Sequence, residues 1–146
     1  MREILFRGKR VDNGEWITGY YIKANHHWHS QGIHEDWFVV DTIQNGGWCN
    51  IRGKYAVIPE TIGQYTGLID KRGTKIFEGD IVKFCDIKGI INFGMGCYCV
   101  KTNKPDWKSR NNPAIDIVLN EYENELEVIG NIHDNPELLK EGADNG

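Results

Sequence analysis

The side chains best suited to chemistry are concentrated in residues 26–36. Four histidines are followed there by two carboxylates: His26, His27, His29, His34, Glu35 and Asp36. Imidazole nitrogens bind zinc, nickel and copper, so the four histidines are candidate metal ligands for a metal-dependent enzyme. Because the usual Cys/His spacings of zinc sites are absent, a solvated loop is favoured, and we predict no metal and no other cofactor. A third interpretation is acid-sensitive binding, since the unperturbed pKa of histidine is about 6.5.

A pair of cysteines offers a second, weaker metal signal. Cys97 and Cys99 lie two residues apart, which places both thiols on one face of a strand. With Cys49 or Cys85 they would give a thiolate site for zinc. The spacing is not that of a zinc knuckle, so packing as small buried hydrophobic side chains is the favoured interpretation.

Glu78 and Asp80 are a carboxylate pair of the kind that general acid–base catalysis uses. Gly79 between them predicts a turn instead, because aspartate in turns commonly binds the backbone amides that follow it. The run of residues 59–82 contains neither a nucleophile-and-base pair nor a phosphate loop. We therefore predict no catalytic residue and favour a protein that is not an enzyme.

Aromatic and basic side chains suggest recognition of a partner. The chain has five tryptophans and six tyrosines, more rings than the core of a small barrel comfortably holds. Exposed rings on β-barrels bind peptides or single-stranded nucleic acid, and stacking on one base contributes about 1–3 kcal/mol. The candidate binding residues are Trp28, Trp37, Trp48, Tyr65, Lys71 and Arg72. The alternative, favoured for each ring taken singly, is that the rings fill the core and cover loops.

The net charge of −4 is unevenly distributed. Residues 1–51 sum to −1, residues 52–110 to +5 and residues 111–146 to −8. An acidic total weakens attraction to polyphosphate, but the basic middle keeps single-stranded nucleic acid as a possible partner. We favour mutual neutralisation of the two segments, within one chain or head-to-tail in a homo-oligomer.

Short apolar runs separated by glycine turns predict an all-β barrel or sandwich. Strands are expected at 4–7, 16–22, 37–43, 54–58, 81–85, 90–93, 97–100, 114–119 and 126–132. Residues 23–36 and 102–113 are expected to be long loops, and Asn135-Pro136-Glu137 predicts a short C-terminal helix. We expect one domain over 1–140, or two subdomains meeting near 102–113, followed by a frayed tail, 141–146.

Three sequence blocks resemble the YopX-like family of phage and prophage proteins. They are residues 1–9 (MREILFRGK), residues 59–82 (PETIGQYTGLIDKRGTKIFEGDIV) and residues 128–138 (VIGNIHDNPEL). The resemblance covers nearly the whole chain and implies an SH3-like β-barrel encoded in a phage genome. It carries over no catalytic residue, and 23–36 and 95–113 are not part of its motif.

The favoured function is therefore a phage accessory protein that acts as a non-enzymatic binding module for a host or phage protein. The alternatives are a single-stranded nucleic-acid-binding protein and a metal-dependent enzyme using the His26–His34 loop. The N-terminal apolar run Ile4-Leu5-Phe6 is too short for a secretory signal or a membrane span. We expect a cytoplasmic protein of the host cell, with reduced cysteines and no membrane partner.

Overall fold

The computed structural model describes most of the chain in two compact units, 1–65 and 66–146. The described residues are 3–28, 32–46, 48–94, 96–102, 118 and 125–140, with only the backbone described in the parts of 24–54 that belong to them. They form ten strands and two short 3-10 helices, which confirms the all-β prediction. None of the helices in these residues has the length and apolar composition needed to cross a membrane.

The first unit contains an antiparallel sheet with strand order β4-β3-β2-β1-β5. Its strands are β1 (Phe6–Lys9), β2 (Trp16–Trp28), β3 (Gly32–Gly46), β4 (Trp48–Ala56) and β5 (Gly63–Ile69), the last of which continues into the second unit. The turn before β2 contains Gly14 with φ +71°, a conformation open to glycine. Asn13 Oδ1 accepts a hydrogen bond from the Glu15 N–H at 2.9 Å and fixes this turn, as the Asn-Gly pair predicts.

Residues 23–36 are not the long loop that the sequence predicts. β2 continues to Trp28 and pairs with β3 from Gly32 onward, so the histidine segment forms a long antiparallel hairpin. The prediction was wrong because it relied on alternating apolar residues. A ladder of backbone hydrogen bonds can hold polar strands together without that alternation.

The second unit contains a four-stranded antiparallel sheet with order β10-β7-β8-β9. Its strands are β7 (Asp80–Phe84), β8 (Ile87–Gly94), β9 (Cys97–Thr102) and β10 (Glu127–Asn131), and β6 (Lys75–Phe77) lies beside the end of β5. Alternation along β8 and β9 turns one face inward. The buried core residues are Ile76, Val82, Phe84, Ile87, Ile91, Tyr98, Val100, Val118 and Leu126.

Two further predictions concern the C-terminal part of the chain. Val118 is helical and fully buried, so the predicted strand 114–119 is wrong at the one position described there. The predicted C-terminal helix is a 3-10 helix, Pro136–Leu139, and a turn over residues 132–134 precedes it. Asn135 occupies the N-cap position without capping through its side chain; its Oδ1 lies 3.4 Å from the Asn131 N–H instead.

The strand orders of the described residues are those of open sheets, so closure into an SH3-like barrel stays a prediction. The expected junction near 102–113 lies, apart from Thr102, outside the described residues, as does the expected frayed tail 141–146. The extent of a single domain over 1–140 stays a prediction as well.

Candidate functional site

The turn formed by residues 70–73 is built around a buried carboxylate. Asp70 is only 5% exposed. Its Oδ1 accepts hydrogen bonds from the N–H groups of Arg72 and Thr74, each at 2.8 Å, and its Oδ2 accepts one from the Val128 N–H at 3.0 Å. Burial by itself raises the pKa of Asp70, but the three amides and the charge of Arg72 outweigh it and hold that pKa below its ordinary value. The carboxylate therefore stays ionised and joins the turn to β10.

The same turn places two cations against one glutamate. The Lys71 N–H donates to the Leu126 carbonyl at 3.1 Å, which brings the turn alongside the start of β10. Lys71 Nζ lies 3.1 Å from Glu127 Oε2, and an Arg72 guanidinium nitrogen lies 2.7 Å from Glu127 Oε1. Glu127 is 20% exposed whereas Arg72 is 68% exposed. The carboxylate is thus largely covered, while the cations keep much of their surface in solvent.

Strand β7 and the turn that follows it contribute the remaining side chains of the site. Lys83 is the register partner of Glu127 across β7 and β10, and directly opposed residues share one face of a sheet. Cys85 opens the two-residue turn to β8 with φ +51°, a left-handed conformation that costs a non-glycine residue energy. Its thiol donates to Glu125 Oε2 at 3.4 Å.

The chemistry of Cys85 argues against a nucleophile. Partial desolvation, the hydrogen bond to Glu125 and the negative charges of Glu125 and Asp86 raise the pKa of Cys85 above its ordinary value. A nucleophilic cysteine needs the opposite, a thiolate stabilised by positive charge. The Cys85 thiol therefore stays protonated at neutral pH.

These elements enclose a polar cavity of about 320 Å³. We name it the charged pocket and define it by the residues that line it: Lys71, Lys83, Cys85, Glu125 and Glu127. With Arg72 at its rim it presents three cations and two carboxylates. Among the described residues, no group of three or more histidine, cysteine or acidic side chains is arranged to hold a metal ion. The pocket is suited to recognising charged groups by ion pairing.

Of the predicted binding residues, the structure brings Lys71 and Arg72 together at this pocket. Tyr65 lies in the first unit and is 6% exposed, so its ring offers no free face for stacking. Trp28, Trp37 and Trp48 lie in β2, β3 and β4, where the described backbone places them opposite Gly32, Lys23 and Gly46 in that order. Their side chains lie outside the described part of the structure.

The candidate metal ligands lie on the long hairpin of the first unit. His26 is the register partner of His34, and His27 is the partner of Ile33. His29 lies outside the described residues. The hairpin thus brings two of the four predicted ligands to one position along the β2–β3 ladder.

Two candidate groups from the sequence remain, the carboxylate pair Glu78 and Asp80 and the cysteines. The structure confirms the turn predicted for the first and contradicts the burial predicted for the second. Gly79 has φ +83°, which confirms the turn interpretation of Glu78-Gly79-Asp80. The hydrogen bond that Asp80 Oδ2 accepts at 2.8 Å comes from the Phe77 N–H, which precedes the turn, and not from a following amide. The expected burial is wrong for the three cysteines whose side chains are described. Cys85 and Cys97 are exposed and Cys99 is partly exposed.

Sequence reasoning missed Glu125 and Glu127 altogether, and it considered Cys85 only as a possible metal ligand and did not place Lys83 in a site with Lys71 and Arg72. These four residues come from segments about 40 residues apart in the chain, and only the antiparallel pairing of β7 with β10 brings them together. The one available signal is Lys83 itself, a charged residue between the apolar residues Val82 and Phe84, and the structure turns it outward between these two buried side chains.

Comparison with known proteins gives a family and a fold. The family model described as YopX protein matches residues 5–140. A crystal structure of protein EF1440 from Enterococcus faecalis is similar to the chain, with 25% sequence identity and a TM-score of 0.55, over 95% of this chain and 99% of that chain. No curated protein matches the sequence.

Proposed function

The chain belongs to the YopX family, and we propose that it is a phage- or prophage-encoded accessory protein that works by binding another protein, without catalysing a reaction. The proposal places it in the cytoplasm of the host cell, on an SH3-like β-barrel scaffold. The observation that carries it is the charged pocket, where Lys71, Arg72 and Lys83 surround Glu127.

Binding suits this pocket better than catalysis. Its thiol is protonated at neutral pH because its pKa is raised, and Glu127 is already engaged by two cations. An acid–base mechanism needs groups that exchange protons near neutral pH, and the protonated thiol is poorly prepared for that exchange.

The partner that fits is an acidic segment of a host or phage protein. Arg72 is 68% exposed, so its guanidinium can take a second carboxylate while it remains beside Glu127. Guanidinium groups bind carboxylates through paired hydrogen bonds. Ile69, which is 54% exposed and two residues from Lys71, supplies apolar area of the kind that anchors protein interfaces.

The test is capture of partners by the tagged full-length chain from nuclease-treated lysates of host cells that carry the phage. The test variant is K71E/R72E, and the control is K101E/K140E, which makes the same change of charge at two exposed positions outside the pocket. We expect a protein that the wild type and the control capture and that K71E/R72E does not. Lys83→Glu is a second, independent variant of the same pocket.

Circular dichroism shows whether each variant is folded before its binding is compared. Equal capture by all variants would place the contact on another surface and refute the proposal. Partners that disappear on nuclease treatment would identify the alternative, single-stranded nucleic acid, whose affinity falls steeply with salt.

The register of His26 opposite His34 supports a second candidate, a metal-dependent protein. Directly opposed residues are neighbours across an antiparallel pair, so the backbone register brings two candidate ligand positions side by side. Elemental analysis of the untagged protein, purified without chelator, tests it. Stoichiometric zinc, nickel or copper that H26A/H34A loses would support this candidate, and its absence from the wild type would remove it.

A further inference from the structure

The hairpin of β8 and β9 carries a pair of thiols that the charged pocket does not use. The Sγ atoms of Cys97 and Cys99 are 3.5 Å apart. Cys97 is exposed and Cys99 is partly exposed. Two adjacent, accessible thiols can bind a ligand that prefers sulfur, whereas two buried hydrophobic side chains cannot.

The hairpin holds these thiols side by side. Cys97 is paired with Gly94 and Cys99 with Asn92, so both side chains project from the same face of the two strands. On the other face the rings of Phe93 and Tyr98 make an edge-to-face contact with centroids 5.0 Å apart. Tyr98 belongs to the buried core of the second unit, which anchors the tip of the hairpin. The thiol pair is therefore preorganised by the fold.

As far as the described residues show, the space beside the thiols is open. A Cβ atom added at Gly94 would meet none of their atoms within 4 Å, and the same holds at Gly96, where φ is +80°. The sulfurs bind only weakly to the backbone: Cys97 Sγ lies 3.7 Å and Cys99 Sγ 3.9 Å from the Gly94 carbonyl oxygen. Hydrogen bonds from thiols are weak, so a ligand that takes both sulfurs displaces little.

We propose that Cys97 and Cys99 together chelate one thiophilic metal ion, of the class that includes zinc, cadmium and copper(I). Zinc–sulfur bonds of about 2.3 Å in tetrahedral geometry place two sulfurs about 3.8 Å apart, close to the 3.5 Å found here. A small side-chain rotation closes the difference. Soft thiolate ligands select such ions over magnesium and calcium, which take oxygen ligands.

Binding of a divalent ion by this pair is a proton exchange without oxidation or reduction. Each thiol loses its proton to solvent, and each sulfur lone pair forms one bond to the ion. Burial of Cys99 and its contact with Cys97 raise the pKa of Cys99, so protons compete with the metal at neutral pH. Because two protons are released per ion, the affinity rises with pH, by up to about 100-fold per pH unit.

The test uses cadmium chloride as the probe, because cadmium thiolates absorb in the ultraviolet. The protein is the full chain carrying C49S/C85S, which leaves only the proposed pair, kept reduced with a phosphine. We expect one ion per chain, the thiolate-to-metal absorption band, and a steep rise of affinity with pH. Addition of either C97S or C99S should remove the band, and magnesium and calcium should neither bind nor compete.

Three outcomes would overturn the proposal. They are undiminished cadmium binding by the chain that carries all four serines, half an ion per chain together with dimer formation, and an affinity independent of pH. If the serine variants do not fold, phenylarsine oxide on the wild-type chain gives a second measurement. We expect mass spectrometry to find one arsenic bridging both sulfurs of the Cys97–Cys99 peptide with loss of one water, and an unmodified peptide would refute the site.

Discussion

Replacement of Asp70 by asparagine tests the reasoning about the turn at 70–73. The substitution keeps the shape of the side chain but removes its charge. Asp70 is 5% exposed, and its two oxygens accept three backbone hydrogen bonds. In Asp70→Asn the amide oxygen can still accept the bonds from Arg72 and Thr74, but the amide nitrogen then faces the Val128 N–H, a second donor.

The expected loss follows from that one lost acceptor. Hydrogen bonds to charged groups contribute about 1.5–3 kcal/mol each, and a buried donor left without an acceptor costs about 1–3 kcal/mol. The two figures describe overlapping effects at the Val128 N–H, and the two bonds at Oδ1 also weaken. We expect Asp70→Asn to lower the free energy of unfolding by about 2–4 kcal/mol at pH 7.

The loss depends on pH in a defined direction. The folded-state pKa of Asp70 lies below its ordinary value of 3.8, so the ionised form stabilises the folded state more than the protonated form does. This stabilisation is fully present above the unfolded-state pKa, about 3.9, and is lost as the pH falls through the folded-state pKa. The difference between wild type and Asp70→Asn should therefore be constant from pH 5 to pH 8 and shrink below pH 4.

Urea unfolding followed by tryptophan fluorescence and circular dichroism at several pH values measures this difference. The matched control is Asp86→Asn, an exposed aspartate in the turn after β7, for which we expect a change below about 0.5 kcal/mol. A loss equal to that of the control, or a loss that does not shrink in acid, would refute this explanation of the Asp70 turn.

Two further substitutions test the backbone of the second unit. Cys85→Gly should raise the free energy of unfolding by about 0.5–1 kcal/mol, because glycine adopts φ +51° without the cost that a left-handed conformation imposes on cysteine; a lower urea midpoint would contradict this. Gly89→Ala should lower it by about 2 kcal/mol or more, because its Cβ would collide with the Val100 side chain and lie 3.2 Å from a backbone oxygen. Gly94→Ala, whose Cβ would lie within 4 Å of no atom of the described residues, is its matched control in thermal unfolding.

The turns of this fold were predictable because each depends on a few adjacent residues. Glycines at positions 14, 73, 79 and 96 all adopt positive φ at strand ends, and the sequence marks the first turn with Asn13-Gly14 and the second with Asp70 three residues before Gly73. The hairpin at 23–36 was not predictable in the same way. Its ladder is formed by backbone groups, while its side chains lack the alternation that sequence patterns detect.

The candidate site was predictable only in part. Lys71 and Arg72 stand beside a recognisable turn, so their exposure follows from local sequence. The position of Glu127 cannot be predicted from local sequence, because its place beside Lys71 and Arg72 depends on which strand β10 pairs with. The exposure of Cys97 likewise depends on which face of β9 the core covers. Alternation predicts that two thiols share a face, but it does not say whether that face is the inner or the outer one.

The charged pocket and the thiol pair lie at opposite ends of β8, and this arrangement predicts that they act independently. Cys85 lies just before Ile87, at one end of the strand, and the thiol pair lies beside Gly94 at the other. A strand of eight residues is about 23 Å long between its first and last Cα atoms. Sites more than about 10 Å apart with no shared partners usually give additive effects, within about 0.5 kcal/mol. K71E/R72E should therefore leave cadmium affinity unchanged, and C97S/C99S should leave partner capture unchanged. Coupling between the two would mean that β8 transmits a change along its length, and the two proposals would then describe one site rather than two.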